Sequence, residues 1–415
     1  MTTLEAAPLS AKADTIHKTA WFALALLATA ELMGMSLWFT ASAVSPELQQ
    51  AWGLSAAEAG WLTTVVQLGF VAGTAVAALL NLPDLVPSRW YFPVAAFLAA
   101  SANAALLTTS TFAVALTSRF FTGFFLAGVY PPAMKMIATW FAPARAGTTT
   151  RRGLAIGTVV GALTIGKALP YLLRAFEQLS FRIVISSASL AALLAAVLVT
   201  LTYRDGPYFF GRRPFSWGLV GVVVKHRETR LALGGYLGHM WELYACWTAS
   251  SLFFFDVFRD RGTETGTALT QAGLAGFATI AAGGLGCVIA GVWADRMGRE
   301  NIAAGAMVVS GLCALTIGWL GSFPIWLVVA VALVWGFAVV ADSAQFSALI
   351  TELSPGHAVG TALTLQVSLG FLLTAFSIWF TLAVQTRFGW GVAFSMLAIG
   401  PAIGTAQMLR LKRIR

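Results

Sequence analysis

Six ionisable side chains lie inside long apolar stretches of this sequence, where a charged group is unusual. They are Glu31, Arg119, Lys167, His239, Glu242 and Asp342. An ionisable group at the centre of a helix in lipid costs at least ~2.5–3.5 kcal/mol, so each one needs a partner or a function. Such groups carry protons, bind charged solutes or hold helices together as ion pairs.

Three of these groups are expected to act on protons or on a charged ligand. A buried carboxyl group can load and release a proton near neutral pH, so Glu242 is the expected proton carrier. His239, one helical turn before it, is expected to share or tune that proton; the alternative is a hydrogen-bonded packing residue. Lys167 is the expected contact for an anionic group, and the alternative is an ion pair with an acid on a neighbouring helix.

The other three groups are also candidates for solute binding or coupling, each with a structural alternative. For Glu31 and Arg119 the alternative is a static ion pair, because buried charges persist mainly when they are paired. Asp342 lies in the inner half of its apolar stretch and is expected to act as a gate or a lock; Gln345, three residues later, shares its helix face.

A row of polar residues also follows one face of the helix that carries His239 and Glu242. The three- and four-residue steps of this row place its members on the same side of a helix. The row consists of Tyr236, His239, Glu242, Cys246 and Ser250.

The elements that position these residues are predicted to be membrane-spanning helices. The 415 residues are 58% hydrophobic and 10% charged, with mean hydropathy +0.79, which is too little charge to cover a soluble protein. The apolar runs have the length of a helix that crosses a ~30 Å hydrocarbon core. The predicted fold class is an all-α membrane protein with twelve spans, numbered 1 to 12: 21–44, 57–80, 91–108, 112–138, 153–174, 181–203, 231–255, 267–292, 302–320, 324–349, 359–382 and 389–408.

Basic residues predict the topology of the chain. With the N-terminus inside, the cytoplasmic segments hold 18 Lys and Arg residues and the outer segments hold 5, which places both termini in the cytoplasm. The chain then divides into a six-helix half at 1–203, a cytoplasmic linker at 204–230 and a second six-helix half at 231–415. No cleavable signal peptide precedes span 1, so a multi-pass protein of the cytoplasmic (inner) membrane is expected.

Several classes of partner and activity are not expected. The net charge of +9 is explained by the cytoplasmic loops, so nucleic acid is not an expected partner. The cysteines Cys246, Cys287 and Cys313 have no CxxC spacing, and no metal site or cofactor is predicted. The chain contains no GxxxxGK[ST], HExxH or GxSxG motif, which argues against ATP-driven transport and against an enzyme.

The two halves share a weak repeat. Phe39 to Ser42 in span 1 has the pattern of Trp247 to Ser250 in span 7, 208 residues later, and this offset places Glu31 opposite His239. Parallel six-helix repeats are one known transporter design, with the solute held between the halves near mid-membrane.

A motif after span 8 identifies a family resemblance that extends over essentially the whole chain. The run from Gly291 to Arg299 resembles the GxxxDRxGR motif of the major facilitator superfamily, through Gly291, Asp295, Arg296, Gly298 and Arg299. The resemblance implies a clasp that closes the cytoplasmic side and releases during the cycle. The first-half copy keeps Asp84 and Arg89 but has Leu80 and Pro87 where the superfamily has glycine.

Two further segments resemble superfamily motifs. Arg119 and Gly123 in span 4 are similar to its RxxxG motif, whose arginine is often tied to proton coupling. Gly157 and Gly166 in span 5 match half of the antiporter motif. The resemblance also implies that spans 1, 4, 7 and 10 line a central cavity. Independently of it, the pair Pro131-Pro132 is predicted to bend span 4.

The expected function is secondary active transport by alternating access, with protons as the coupling ion. The expected partner is a small polar organic solute, and an organic anion is the more specific form of this prediction. The protein is expected to be a monomer in the lipid bilayer. Three alternatives stay open: a drug or metabolite efflux antiporter, a copper importer, and a non-transporting sensor or assembly factor on the same scaffold. The copper alternative rests on Met33, Met35, Met134, Met136 and Met240, because thioethers suit Cu(I).

Overall fold

The computed structural model describes residues 9–142, 151–176, 180–208 and 215–415, and this part of the chain contains helices and no strand. The first half has the α-helices Leu9–Met35, Thr40–Ala43, Ser45–Trp52, Ala56–Leu79, Leu82–Leu85, Ser88–Ala104, Phe112–Leu126, Tyr130–Ala138, Arg152–Arg174 and Phe181–Thr202. The remainder has Trp217–Lys225, Arg227–Asp260, Thr265–Met297, Arg299–Ile317, Ile325–Ala341, Ser343–Leu353, Val359–Leu397 and Ile399–Ile414. The predicted all-α class is confirmed.

The apolar helices agree with a twelve-span arrangement. Within the described residues, nine stretches are long and apolar enough to cross a membrane. The last of them, Gly356–Ile414, is 59 residues long and contains spans 11 and 12, which join at Gly389 with a positive φ of 80°. Spans 1 and 7 lie outside these nine stretches and correspond to the helices Leu9–Met35 and Arg227–Asp260.

Spans 1, 4 and 10 are each divided into two helical segments. Span 1 was predicted as one helix over 21–44, but it loses its helical hydrogen bonding between Met35 and Thr40. Span 4 separates into two helices just before Pro131 and Pro132, as the missing backbone donors predicted. Span 10 is divided at Asp342. These interruptions free backbone carbonyls inside the bundle, where they need partners.

Spans 5 and 8 form the closest contact between the two halves. A Cβ atom on Gly157 would lie 2.8 Å from the Cys287 carbonyl oxygen, and one on Gly161 would lie 2.7 Å from that of Gly284. Near one end of the same contact, a Cβ on Gly291 would lie 3.0 Å from the Gly153 carbonyl oxygen. The absence of side chains at these glycines therefore lets the two backbones touch.

The segment between the halves is attached to both of them. Residues 204–230 were predicted as a linker, and they contain the helix Trp217–Lys225. The Phe215 amide donates to Asn81 Oδ1 at 3.2 Å, and the Ser216 amide donates to Thr361 Oγ1 at 3.0 Å. Asn81 follows span 2 and has a positive φ of 51°. Thr361 lies at the start of span 11, in the other half. We call residues 215–225 the strap.

Candidate solute site between the two halves

The ammonium group of Lys167 lies among aromatic rings contributed by both halves. Its Nζ atom is 4.2 Å from the ring centroid of Trp38, 4.7 Å from that of Tyr244 and 5.3 Å from that of Trp247. It also donates a hydrogen bond to the Tyr244 hydroxyl. Lys167 is 2% exposed, so these contacts replace water around a buried charge. We call the three rings around Lys167 the cage.

The interruption of span 1 places Trp38 in the cage, and Arg119 stabilises that interruption. The Arg119 guanidinium donates from Nη1 to the Leu37 carbonyl oxygen at 3.0 Å and from Nη2 to that of Trp38. Nη1 also donates to Asn103 Oδ1 at 2.8 Å. These bonds satisfy carbonyls that the interrupted helix leaves without partners.

The predicted ion pair between Glu31 and Arg119 is therefore wrong. The planar guanidinium has its donors committed to carbonyl and amide oxygens, which an interrupted helix supplies and a continuous one does not. Glu31 instead interacts electrostatically with Lys167. Spans 1 and 5 touch at this level, since a Cβ on Gly166 would lie 2.2 Å from the Leu32 carbonyl oxygen.

Glu31 is a fully buried acid whose carboxyl oxygens both lack a hydrogen-bond partner among the described residues. The titratable groups that face it are Lys167 on span 5 and Tyr130 on span 4. Span 6, which also packs on span 1, contains Arg182 as its only titratable residue between Phe181 and Thr202, and that residue lies in the first turn. A buried acid beside a single cation, without fixed donors, can change its protonation or exchange its partner.

Further aromatic residues enclose the cage across the contact between the halves. Phe70 of span 2 and Phe371 of span 11 have ring centroids 4.4 Å apart, and both rings lie near Trp38, at 5.1 and 5.7 Å. Phe371 is also 5.3 Å from Tyr244. The rings thus close the space between the halves, so a solute reaches Lys167 only when some of them separate.

Several buried polar atoms of these spans have no hydrogen-bond partner within the described part of the chain. Buried polar groups are normally paired, so this unpaired set on spans 1, 2, 7 and 11 is a candidate site for a polar ligand. The set includes Trp38 Nε1, Trp247 Nε1, Thr248 Oγ1, both amide atoms of Gln67 and of Gln366, and both oxygens of Glu31.

Glu242 and Asp342, the two candidate acids of the second half, lie away from the cage among polar groups of their own half. Glu242 accepts hydrogen bonds from Trp335 Nε1 at 2.6 Å and from Ser310 Oγ at 2.8 Å, so it faces spans 9 and 10. His239 Nδ1 lies 2.8 Å from Asp342 Oδ1, and its Nε2 is 3.1 Å from Ser343 Oγ.

These contacts correct the expected partnership of His239 with Glu242. The nearest polar groups to His239 belong to span 10, because the interruption of that span at Asp342 brings them against span 7. Asp342 and His239 both belong to the second half. Their contact holds two spans of one half together, as the predicted lock would, and it does not bridge the two halves. The roles of all three residues remain predictions.

The sequence match that decides the family covers most of the chain. The sequence profile described as Major Facilitator Superfamily matches residues 26–365. This chain belongs to the Major Facilitator Superfamily. It is a multi-pass membrane protein, and the transporters of this superfamily are not enzymes. Comparison with curated protein sequences gives no match.

Solved structures of superfamily transporters share the fold. The human organic anion transporter MFSD10 (TETRAN) superposes with a TM-score of 0.68 at 15% identity, covering 93% of this chain and 98% of that one. The nucleoside transporter NupG gives a TM-score of 0.68 at 14% identity, covering 94% of this chain and 99% of that one. At such identities the likeness concerns the fold alone.

The superfamily clasp after span 8 is visible in part. Gly298 has a positive φ of 85° and forms the turn between spans 8 and 9, which explains why glycine is required there. Arg299 Nε donates to Glu352 Oε1 at 2.8 Å and its Nη1 donates to Gln345 Oε1 at 3.1 Å, so it joins this turn to the end of span 10. Arg296 is exposed.

The remaining clasp residues are Asp84, Arg89 and Asp295. The side chains of Asp84 and Asp295 lie outside the described residues. Arg89 is exposed and lies over the Trp90 ring at 5.6 Å. In the first-half copy, Asn81 supplies the positive φ and holds the strap, which gives this segment a contact that the resemblance did not predict.

The aromatic residues that surround Lys167 were not predicted from the sequence. Nothing in the sequence distinguishes Trp38, Tyr244 and Phe371 from the other aromatic residues, which make up 12% of the chain. One signal was present, because Trp247 opens the repeat that begins with Phe39 in the first half. A buried lysine without an acid at helical spacing on its own span is a second signal, since such a lysine needs either ring faces or a distant partner.

Proposed function

We propose that this superfamily member is a secondary active transporter that moves a small polar organic anion by alternating access, with a proton as the coupling ion. The observation that carries the proposal is the buried ammonium group of Lys167, enclosed by rings from spans 1 and 7 beside the carboxyl group of Glu31, which accepts no hydrogen bond from the described residues. The fold itself is compatible with many solutes and both directions.

The surroundings of Lys167 support an anionic solute. Its ammonium group has ring faces, one neutral phenol and the nearby Glu31 as its stabilising contacts, and none of them is a hydrogen bond to a charged acceptor among the described residues. An anionic group that enters the cage gains such a bond. The buried charge then favours the solute over water as its partner.

The division of the cage between the halves supports alternating access. Trp38 belongs to span 1, whereas Tyr244 and Trp247 belong to span 7, and Trp38 lies 5.6 Å from Tyr244. A movement that separates the halves on either side of the membrane pulls these rings apart. Contacts that exist only in the closed state give the solute the differential affinity that such a cycle needs.

The position of Glu31 supports coupling to a proton. An ionised Glu31 and a solute anion compete for the same ammonium group, so the anion binds best when Glu31 is protonated. One anion then moves together with one proton. Glu242 stays the second candidate, because a protonated Glu242 could remain buried in the second half; its two hydrogen bonds tie it to Trp335 and Ser310 instead of the solute site.

Transport by the purified protein in proteoliposomes tests both parts of this proposal. A panel of labelled mono- and dicarboxylates is offered with and without an imposed pH gradient. We expect at least one anion to accumulate against its gradient, and Lys167→Met to abolish its uptake. Failure of every anion while a neutral solute accumulates would overturn the anionic assignment.

The coupling acid is identified by two matched substitutions in the same assay. Glu31→Gln should abolish pH-driven accumulation and preserve exchange of solute across the membrane, because it fixes the neutral form. Glu242→Gln should retain pH-driven accumulation. The reverse result would transfer the coupling role to Glu242 and overturn the assignment to Glu31.

We also propose that the protein is a monomer in the cytoplasmic membrane, with both termini and the strap in the cytoplasm. The support is the asymmetry of basic residues between the two sets of loops. Because the three native cysteines are buried, Lys225→Cys provides a clean probe. An impermeant maleimide should label it in broken cells only, and labelling of intact cells would reverse the topology.

The alternatives make different demands on the same assays. Efflux by antiport requires anion to leave inside-facing compartments in exchange for protons, which vesicles of known orientation separate from uptake. The copper alternative requires uptake of Cu(I). A sensor or assembly factor would move no solute at all.

A further inference from the structure

Two tryptophans of the cage carry hydrogen-bond donors that the rest of the described chain does not use. Trp38 Nε1 and Trp247 Nε1 are buried and have no acceptor there. By contrast, five other indoles donate to protein oxygens: Trp140, Trp241, Trp319, Trp335 and Trp390. Trp38 and Trp247 flank the same ammonium group, which lies within 5.3 Å of both ring centroids.

The donors around this point suit one acceptor group with several lone pairs. The Lys167 ammonium group, the Tyr244 hydroxyl and the two indole N–H groups all belong to the cage or its centre. A carboxylate offers two oxygens with about four acceptor positions and accepts charged and neutral donors together. A hydroxyl or amide group of a sugar or peptide would satisfy fewer of these donors.

The charge at the site limits the solute to one negative charge. Lys167 is the buried cation that faces the cage, whereas the guanidinium of Arg119 is committed to Leu37, Trp38 and Asn103. A second anionic group would be buried without a cation, which is strongly unfavourable. Dicarboxylates and phosphate dianions therefore fit poorly.

The walls of the site favour a flat body on the solute. The rings of Trp38, Phe70, Tyr244 and Phe371 have centroid separations of 4.4 to 5.7 Å, in tilted or edge arrangements. A planar ring system can enter between such faces and replace their mutual contacts with equivalent ones. A puckered aliphatic ring of the same size makes fewer contacts in the same gap.

From these observations we infer that the cage binds the carboxylate of a planar organic acid with a single negative charge. This inference rests on the proposed function and narrows its solute class. The carboxylate accepts from Lys167 and from the Trp38 and Trp247 indoles, and the flat body lies between the Phe70 and Phe371 rings. The buried amides of Gln67 and Gln366 then remain for polar substituents on the solute.

Isothermal titration of the purified full-length protein with four probes tests the class. Benzoate is planar with one charge, cyclohexanecarboxylate has the charge without planarity, benzamide is planar and neutral, and terephthalate is planar with two charges. We expect benzoate to bind most tightly, with terephthalate and benzamide about tenfold weaker or worse, as loss of a hydrogen bond to a charged group implies. Equal binding of benzoate and benzamide, or tighter binding of terephthalate, would overturn the inference.

Substitutions at the cage test the donors individually. Trp38→Phe and Trp247→Phe keep an aromatic ring and remove the N–H group, and each should weaken benzoate about threefold to tenfold. Trp379→Phe, at an exposed position on span 11, is the matched control and should leave the affinity unchanged. Unchanged affinity in both cage variants would show that the indole N–H groups do not bind the carboxylate.

The same experiments separate this inference from the proposed function. Selective binding of benzoate that is lost in Lys167→Met and kept in Lys225→Met, together with no movement of any anion in proteoliposomes, would support the site and refute transport. Transport of dicarboxylates or neutral solutes with no preference for benzoate would refute the planar monoanion and leave transport intact.

Discussion

Arg119 and Lys167 are both buried cations of the first half, yet their surroundings differ. Arg119 donates to two backbone carbonyls of the interrupted span 1 and to the Asn103 amide oxygen. Lys167 has aromatic faces, one hydroxyl group and a nearby acid whose oxygens accept no hydrogen bond within the described part of the chain. The comparison teaches that a charge saturated by fixed oxygens supports the fold, whereas a charge held by replaceable contacts is available to a ligand.

The acids show the same contrast as the two cations. Glu242 accepts two hydrogen bonds within the second half, while Glu31 accepts none from the described residues and lies beside Lys167. Arg119 and Glu242 are thus satisfied by fixed partners, whereas Lys167 and Glu31 have surroundings that can change. Substitutions at the two kinds of site should therefore differ in their effect on stability.

The largest expected effect is the loss of stability in Arg119→Met. Removal of the guanidinium leaves buried carbonyls at the span 1 interruption without donors, which should cost about 2–5 kcal/mol. Lys167→Met should change the free energy of unfolding far less, because it removes a buried charge together with its desolvation penalty. Thermal unfolding of both variants in one detergent measures the difference. Equal losses of stability would show that Lys167 supports the fold as much as Arg119 does.

A smaller effect is expected for the acids. Glu242→Leu leaves the Trp335 N–H and the Ser310 hydroxyl without their acceptor and should lower stability by about 1–3 kcal/mol. Glu31→Leu removes a carboxyl group that accepts no hydrogen bond from the described residues, so its unfolding temperature should stay close to that of the unmodified protein. A lower unfolding temperature for Glu31→Leu than for Glu242→Leu would show that Glu31 is the structural acid.

The smallest expected effect concerns the neighbour of Arg119 on span 3. Asn103→Leu removes one of the four acceptors of the Arg119 guanidinium and the hydrogen bond of 3.0 Å that Asn103 Nδ2 donates to Ser189 Oγ. We expect a loss of about 1–2 kcal/mol, less than for Arg119→Met, because the three backbone carbonyl contacts of Arg119 persist. Ser101→Ala, on the exposed side of the same helix, serves as the control and should be neutral.

Hydropathy and charge were sufficient to predict the all-α membrane fold, because lipid allows few other structures. The prolines predicted the bend at Pro131-Pro132, since proline acts locally. The interruption of span 1 could not be predicted, because no residue from Ser36 to Phe39 disfavours a helix strongly and its carbonyls depend on Arg119, some 80 residues later.

The candidate site shows the same limit. Lys167 and Glu31 were recognisable as costly charges, but charge alone did not determine their partners. Arg119 could have paired with Glu31 in any packing that kept span 1 continuous. The cage and the adjoining ring of Phe371 likewise depend on how spans 1, 5, 7 and 11 pack together. This packing is a property of the whole bundle and cannot be read from any single span.

The strap limits how far the two halves can part on its side of the membrane. Its neighbouring amides, those of Phe215 and Ser216, bond to Asn81 in one half and to Thr361 in the other. Consecutive residues lie about 3.8 Å apart, so the ends of spans 2 and 11 cannot separate freely while both bonds hold. Opening on this side therefore breaks one bond of about 0.5–1.5 kcal/mol, which shifts the ratio of closed to open molecules by roughly twofold to tenfold.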